Sequence, residues 1–246
     1  MKNTVMLKSW LQPETVRGVR WLFFDMGNTL ISEEAPTACR IRRFADAFAR
    51  YGVRVSIERI TSAYREASEE FAPHLAPRVL EKLTDNLELR ELIQREEPYP
   101  REMEVPYDGA IESLRLLSYE HKFGVIANQS PGSEERLTRW GLSPFISVRV
   151  ASAEVGLEKP DPAIFDLALR QAECTPAEAV MIGDRLDNDI RPARMLGWKT
   201  VRVLQGPGRF QVPRDSLDEP DLSVTDVGLV PSIFLDPLGP SLANRE

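Results

Sequence analysis

The segment that most constrains this chain is Val19-Arg-Trp-Leu-Phe-Phe24, an apolar run that stops abruptly on Asp25 and continues as Met-Gly-Asn-Thr-Leu. So short a run suits a strand better than a helix. Apolar side chains on successive positions, rather than alternate ones, mark a strand covered on both faces, as in a parallel sheet. Its end on a carboxylate followed by Gly-Asn is a loop at the carboxyl end of a strand, the place where open α/β sheets gather their ligands.

Further βα units follow after an interruption. Phe123 to Ala127, Ser147 to Ala151, Val180 to Ile182 and Thr200 to Leu204 read as strands, and Leu222 to Val224 as a last one before a segment ending near Phe234. Between them Asp108 to Tyr119 and Ser133 to Trp140 carry helical spacing, the second stopped by Gly141. Asp161 and Pro162 suit the N-cap and N1 positions of a helix reaching about Ala172, and a helix around Ile190 to Leu196 ends at Gly197. This alternation predicts an α/β fold with a Rossmann-like parallel sheet and helices on both faces. Residues 33–104 differ: Ile41, Phe44 and Phe48, then Ile57, Ile60, Tyr64 and Phe71, then Val79 to Ile93 fall at helical spacing without strand signals. The predicted organisation is therefore a core of residues 19–32 and 105–235, a helical insert at 33–104, an N-terminal extension at 1–18 and a Pro-rich, polar tail at 236–246. The 246 residues, at about 150 per domain, leave room for such an insert of about half a domain.

Composition narrows the function classes. With 38 Asp and Glu against 31 Lys and Arg the chain carries a net charge of −7, which disfavours nucleic acid as a partner. The apolar run at Trp21 to Phe24 is too short for a membrane span, so no membrane partner is expected. Cys39 and Cys174 lie far apart, suggesting neither a disulfide framework nor a zinc site, and free thiols fit a cytoplasmic location. Trp21, Trp140 and Trp198 are expected in the core.

Four loops carry the polar groups that could do chemistry. They hold Asp25 with Asn28 and Thr29; Asn128-Gln-Ser130; Lys159 in Gly-Leu-Glu-Lys-Pro-Asp-Pro; and Gly183-Asp184-Arg185-Leu-Asp187-Asn-Asp189. The carboxyl ends of neighbouring parallel strands converge, so these groups could meet. Two or more carboxylates with a backbone carbonyl form a hard oxygen site suited to Mg²⁺, and a lysine beside them is a compact positive charge for a phosphoryl group.

These four segments, Phe-Phe-Asp25-Met-Gly-Asn-Thr-Leu, Val-Ile-Ala127-Asn128-Gln, Gly-Leu-Glu-Lys159-Pro-Asp-Pro-Ala-Ile-Phe and Met-Ile-Gly-Asp184-Arg-Leu-Asp-Asn-Asp189-Ile, occur in the order found in the haloacid dehalogenase (HAD) superfamily, which the chain resembles over residues 19 to 235. The helical insert resembles the C1 cap of that superfamily. The resemblance implies a Mg²⁺-dependent phosphatase of a small phosphorylated metabolite, a monomer or homodimer. Asp25 would be the nucleophile that forms an aspartyl-phosphate, and Lys159 would orient it and the phosphoryl group. Asp25, the Gly27 carbonyl, Asp184 and Asp189 would hold the metal, with Asp187 an alternative ligand. Asn28, Thr29, Asn128, Ser130 and Arg185 are the candidate phosphate or substrate contacts. In the insert, Arg42, Arg43, His74 and Arg78 are weaker candidates for substrate recognition, because charges on amphipathic helices usually form a solvated face.

The chain departs from the family pattern at two positions. Gly27 stands where the phosphatases usually carry a second Asp that protonates the leaving group, help typically worth about 10²–10⁴-fold. Ala127 stands where they usually carry Ser or Thr. These departures leave two other readings open: a HAD-fold binding or scaffold protein with impaired catalysis, and a metal-free haloacid dehalogenase. The retained Gly183-Asp184 and Asp189 argue against the second. No Gly-x4-Gly-Lys-Ser/Thr loop is present, so a P-loop nucleotide site is not expected.

Overall fold

The structure, a computed structural model, describes residues 16–235; most of the expected N-terminal extension and the whole 236–246 tail lie outside the described residues. Strand β1 is Trp21–Phe24, and the ends of the insert are joined by a two-residue pair, β2 (Ile31–Ser32) antiparallel to β3 (Val105–Pro106). The remaining strands are β4 (Lys122–Ala127), β5 (Ile146–Ala151), β6 (Ala179–Gly183), β7 (Lys199–Val203) and β8 (Leu222–Val224). With β1 they form one parallel sheet in the order β5-β4-β1-β6-β7-β8. The expected α/β, Rossmann-like sheet is thus observed, and β1 lies between β4 and β6. Phe24 pairs in register with Val125 on one side and Ile182 on the other, so the chain leaves all three strands at one level.

Both faces of β1 are buried, which is why its residues are apolar without alternation. Leu22 and Phe24 pack with Val125, Ile182 and helix α5 (Ala110–Leu117). After the helices α6 (Ser133–Arg139) and α7 (Ser152–Val155) comes α8 (Pro162–Ala172), which packs on the opposite face with Trp21, Phe23, Ile126, Met181 and Trp198. Trp21, Trp140 and Trp198 are all buried, as expected. The end signals act as predicted: Asp161 accepts a hydrogen bond from the Ala163 amide and Pro162 opens α8.

Residues 34–96 form four helices, α1 (Glu34–Arg50), α2 (Ile57–Glu69), α3 (Leu75–Leu83) and α4 (Leu87–Glu96). Ser56 and Asn86 cap α2 and α4 through their side chains. Phe44, Phe48, Ile60, Ala63, Val79, Leu80 and Ile93 make a hydrophobic cluster of their own, apart from the two beside the sheet. The helical bundle reaches the core over the strand ends. Ser68 Oγ donates to the Pro207 carbonyl at 2.7 Å, Arg185 donates to the Ala72 carbonyl at 3.0 Å, and Arg65 lies over the Phe210 ring at 4.9 Å.

The helix expected around Ile190 to Leu196 is observed as α9 (Arg191–Met195), and a π turn at Leu186–Ile190, which the spacing does not announce, leads into it. The wide turn carries the Asp189 carboxylate back beneath Gly183, whose missing Cβ would collide with it.

Candidate active site

Asp25 follows β1 directly, and its amide donates to the Ile182 carbonyl at 2.9 Å, so the sheet ladder extends to the residue that carries the carboxylate. The chain then reverses. Met26 offers its carbonyl to the amides of Thr29, Leu30 and Ile31, while Asn28 takes a left-handed conformation, φ 58°, that Asn tolerates better than most residues.

Lys159 arrives from the loop after β5 and is 4% exposed. Its Nζ donates to Asp25 Oδ1 at 2.6 Å and to Asp189 Oδ1 at 2.5 Å. Asn128, from the end of β4, holds the Lys159 backbone at both polar groups: its Nδ2 donates to the Lys159 carbonyl at 2.8 Å and its Oδ1 accepts from the Lys159 amide at 2.7 Å. Burial disfavours the charged ammonium, but Asp189 and Asp25 outweigh that and hold Lys159 above the ordinary lysine value.

Oxygens of Asp25, Asp184 and Asp189 come within 4.8 Å of one another, and all three residues are buried. Burial, then Asp189 and Asp25, push Asp184 well above the usual carboxylate range; of its neighbours Arg185 pulls the other way, and that guanidinium is already engaged by Asp187. Asp189 rises to about 6, chiefly through burial, even though Lys159 opposes the rise. A buried trio of carboxylates with one lysine between them carries more negative charge than its own groups neutralise. Hard oxygen donors with uncompensated charge fit a small divalent cation such as Mg²⁺. Asp187 lies apart from this cluster, bound to Arg185 and accepting from Gln211 Nε2 at 3.0 Å.

A cavity of about 590 Å³ opens over these groups. Asp25, Asn28, Asn128, Lys159, Asp184 and Arg185 line it from the sheet side, and Thr37, Arg40, Tyr64, His74 and Tyr99 from the insert. Two expected contacts are not brought there. Thr29 is fully buried away from the cavity, its hydroxyl without a partner among the described residues, because the tight reversal after Asp25 turns it inward. Ser130 is exposed and outside the cavity wall; its carbonyl serves Arg136 at 2.9 Å. Of the insert candidates His74 lines the cavity, Arg78 pairs with Glu70 and Glu81 on the surface, and Arg42 and Arg43 do not reach the wall.

Two residues that sequence reasoning passed over face the same space. Arg40 lies over the rings of Phe44 (5.2 Å) and Tyr99 (6.0 Å), with its Nε buried and unpaired among the described residues. Its i, i+4 spacing to Phe44 was the available signal, one turn from a buried position. Glu33 lines the cavity too, and Asn28 Nδ2 donates to its Oε2 at 2.8 Å. Burial, then Glu104 and Asp25, raise it to about 7. Glu33 lay in an unremarkable Ser-Glu-Glu run, and no local pattern distinguished it from Glu34.

Sheet and site together define an α/β protein with a cavity at the carboxyl ends of its parallel strands. The chain belongs to the haloacid dehalogenase-like hydrolases: the family model of that description matches residues 19–197. Among curated relatives, a glyceraldehyde 3-phosphate phosphatase from Methanopyrus kandleri is 39% identical over 121 residues, 48% of this chain and 52% of that protein. The match therefore spans about half the length of that relative. A glyceraldehyde 3-phosphate phosphatase from Pyrococcus furiosus is 27% identical over 197 residues, covering 76% of this chain and 81% of that one. A HAD phosphatase from Thermococcus onnurineus has a similar fold, with a TM-score of 0.59 and 20% identity over 87% of this chain and 97% of its own. Among the described residues no helix is long and apolar enough to cross a membrane.

Proposed function

We propose that this hydrolase is a phosphatase of a small phosphorylated metabolite, with Asp25 as the nucleophile. The observation that carries the reading is the Asp25–Lys159–Asp189 arrangement at the floor of the cavity, with Asp184 beside it. The phosphatase relatives support the same class. Asp25 attacks phosphorus, the alcohol leaves, and water then hydrolyses the aspartyl-phosphate, which divides one hard displacement into two easier ones. Lys159 holds Oδ1 of Asp25 still, so the second oxygen is the one that attacks, and its charge partly balances that of the incoming phosphoryl group. Asp25, Asp184 and Asp189, with the Gly27 carbonyl, are the residues that would hold Mg²⁺; when bound, the ion would neutralise charge on the phosphoryl oxygens. Asn128 positions Lys159 through its backbone. The bundle of α1–α4 serves as a cap that excludes water, and Arg40 binds the part of the substrate remote from phosphorus.

The cluster of three carboxylates favours phosphoryl transfer over carbon–halogen hydrolysis, since displacement at carbon has no use for a divalent site. The test is a screen of phosphorylated metabolites with Mg²⁺ and with EDTA, alongside Asp25→Asn. Turnover that requires Mg²⁺ and vanishes in Asp25→Asn is expected. Undiminished turnover in Asp25→Asn overturns the nucleophile assignment, and an inactive wild-type protein that still binds Mg²⁺ favours a scaffold.

A further inference from the structure

An alcohol leaves phosphorus poorly as an alkoxide, so a hydrolase acting on unactivated esters benefits from a proton donor at the bridging oxygen. The carboxyls at the cavity are not equally suited. Asp25 and Asp189 are both held by Lys159, Asp184 is buried beside them, and Glu158 is exposed. Glu33 is different. It occupies the N-cap position of α1, yet its side chain accepts no capping hydrogen bond from that helix. It turns instead to the loop after β1. A Cβ built on Gly27 would lie 2.5 Å from Glu33 Oε1, so this carboxyl fills the space that a side chain two residues after Asp25 would enter. Asn28 fixes the other oxygen, Oε2, at 2.8 Å, which aims the group.

We propose that Glu33 is the catalytic acid and base of this site, its carboxyl reaching from the start of the first cap helix into the place left open by Gly27. The proposal rests on the phosphatase reading. In the first step an oxygen of Asp25 forms a bond to phosphorus, the bond from phosphorus to the ester oxygen breaks with its electrons on that oxygen, and Glu33 delivers the proton that makes it an alcohol. In the second step the Glu33 carboxylate takes a proton from water as the water oxygen bonds to phosphorus. The electrons of the Asp25–phosphorus bond return to Asp25, inorganic phosphate leaves, and Glu33 is protonated again. Because Glu33 opens α1, the acid would be in place only while the first cap helix is seated, which couples proton transfer to cap closure.

The experiment compares kcat/KM for p-nitrophenyl phosphate, whose leaving group needs no proton, with that for phenyl phosphate, whose leaving group does. In Glu33→Gln, phenyl phosphate is expected to fall by about 10²–10⁴-fold and p-nitrophenyl phosphate by much less, with a burst of nitrophenolate as the phosphoenzyme accumulates. A second variant, Gly27→Asp with Glu33→Ala, places a carboxyl in the same space from the other side and should recover phenyl phosphate hydrolysis. Gly27→Asp alone should be impaired by collision with Glu33. Equal losses on both substrates, or no loss, overturn the role of Glu33 while leaving Asp25 as nucleophile. A wild-type protein inactive on both substrates overturns the phosphatase reading and this proposal together.

Discussion

Replacing Asp184 by Asn should stabilise the metal-free protein while destroying its response to Mg²⁺. Asp184 is 3% exposed, and its oxygens lie within 4.8 Å of those of Asp25 and Asp189. Two unit charges at 4.8 Å repel by ~3.5 kcal/mol at an effective dielectric constant of 20. Asp184 faces two such partners, and the attraction of Lys159 and Arg185 cancels part of the sum. Asn keeps the shape, removes the charge and can donate a hydrogen bond to a neighbouring carboxylate. A net gain of about 1–3 kcal/mol at pH 7.5 follows for the metal-free variant. The pH dependence has a definite sign. The folded-state pKa of Asp184 is raised above its unfolded value, so the folded wild-type protein binds more protons and loses stability as pH rises from about 4 through the folded pKa. The variant escapes this loss, so the two proteins should converge near pH 4 and separate at neutral pH. Urea denaturation in EDTA across pH 4–8, repeated with Mg²⁺, measures both effects. At 100 times its dissociation constant Mg²⁺ would stabilise the wild-type protein by about 2.7 kcal/mol and the variant by little. A variant less stable than wild type in EDTA at pH 7.5, or one that gains as much from Mg²⁺, would refute this account of the carboxylate cluster.

Lys159→Met has the opposite sign. It strips the hydrogen-bonded lysine from a buried trio of carboxylates, and loss of one partner of a buried pair costs about 3–5 kcal/mol. Urea curves at pH 8 should show that loss, and curves at pH 5 a smaller one, because Asp189 titrates at about 6 even with Lys159 present. Arg40→Ala should raise KM for the best substrate of the screen by about 10-fold or more, the worth of one charge-assisted hydrogen bond, while kcat changes little. A proportionate fall in kcat would instead place Arg40 in the chemical step.

The legible part of this molecule was what short stretches of chain determine. Burial on both faces leaves its mark on every residue of a strand, so β1, β4 and β6 were readable as apolar runs, and the loops after them as the place for Asp25, Asn128 and Asp184. Asp161-Pro162 marked the start of α8 because a cap and its first turn lie within three residues. The β2–β3 pair was not readable, because two residues per strand are too few to carry a pattern. The π turn at Leu186–Ile190 escaped for another reason. Its cause is the fit of Asp189 beneath Gly183 and onto Lys159, which the local spacing of apolar residues does not encode.

The roles of single side chains divide the same way. Asn128 stands at a strand end, where the sequence places a substrate contact, and both its polar groups serve Lys159, a residue 31 positions away. Thr29 and Ser130 sit beside site residues in sequence, but the backbone turns one inward and the other out. Gly27 read as the absence of a carboxyl. The fold shows what its missing side chain admits, because Glu33 approaches from the start of the helical insert. By itself the sequence determined the sheet, the order of the loops that end its strands and the family to which those loops belong, since each depends on neighbours along the chain. Only the tertiary structure decided which carboxyls share one cavity and which of them Lys159 holds. Those are distances across the ends of β1, β4 and β6 and the bundle above them, and they exist only when the sheet and the helical insert are packed together.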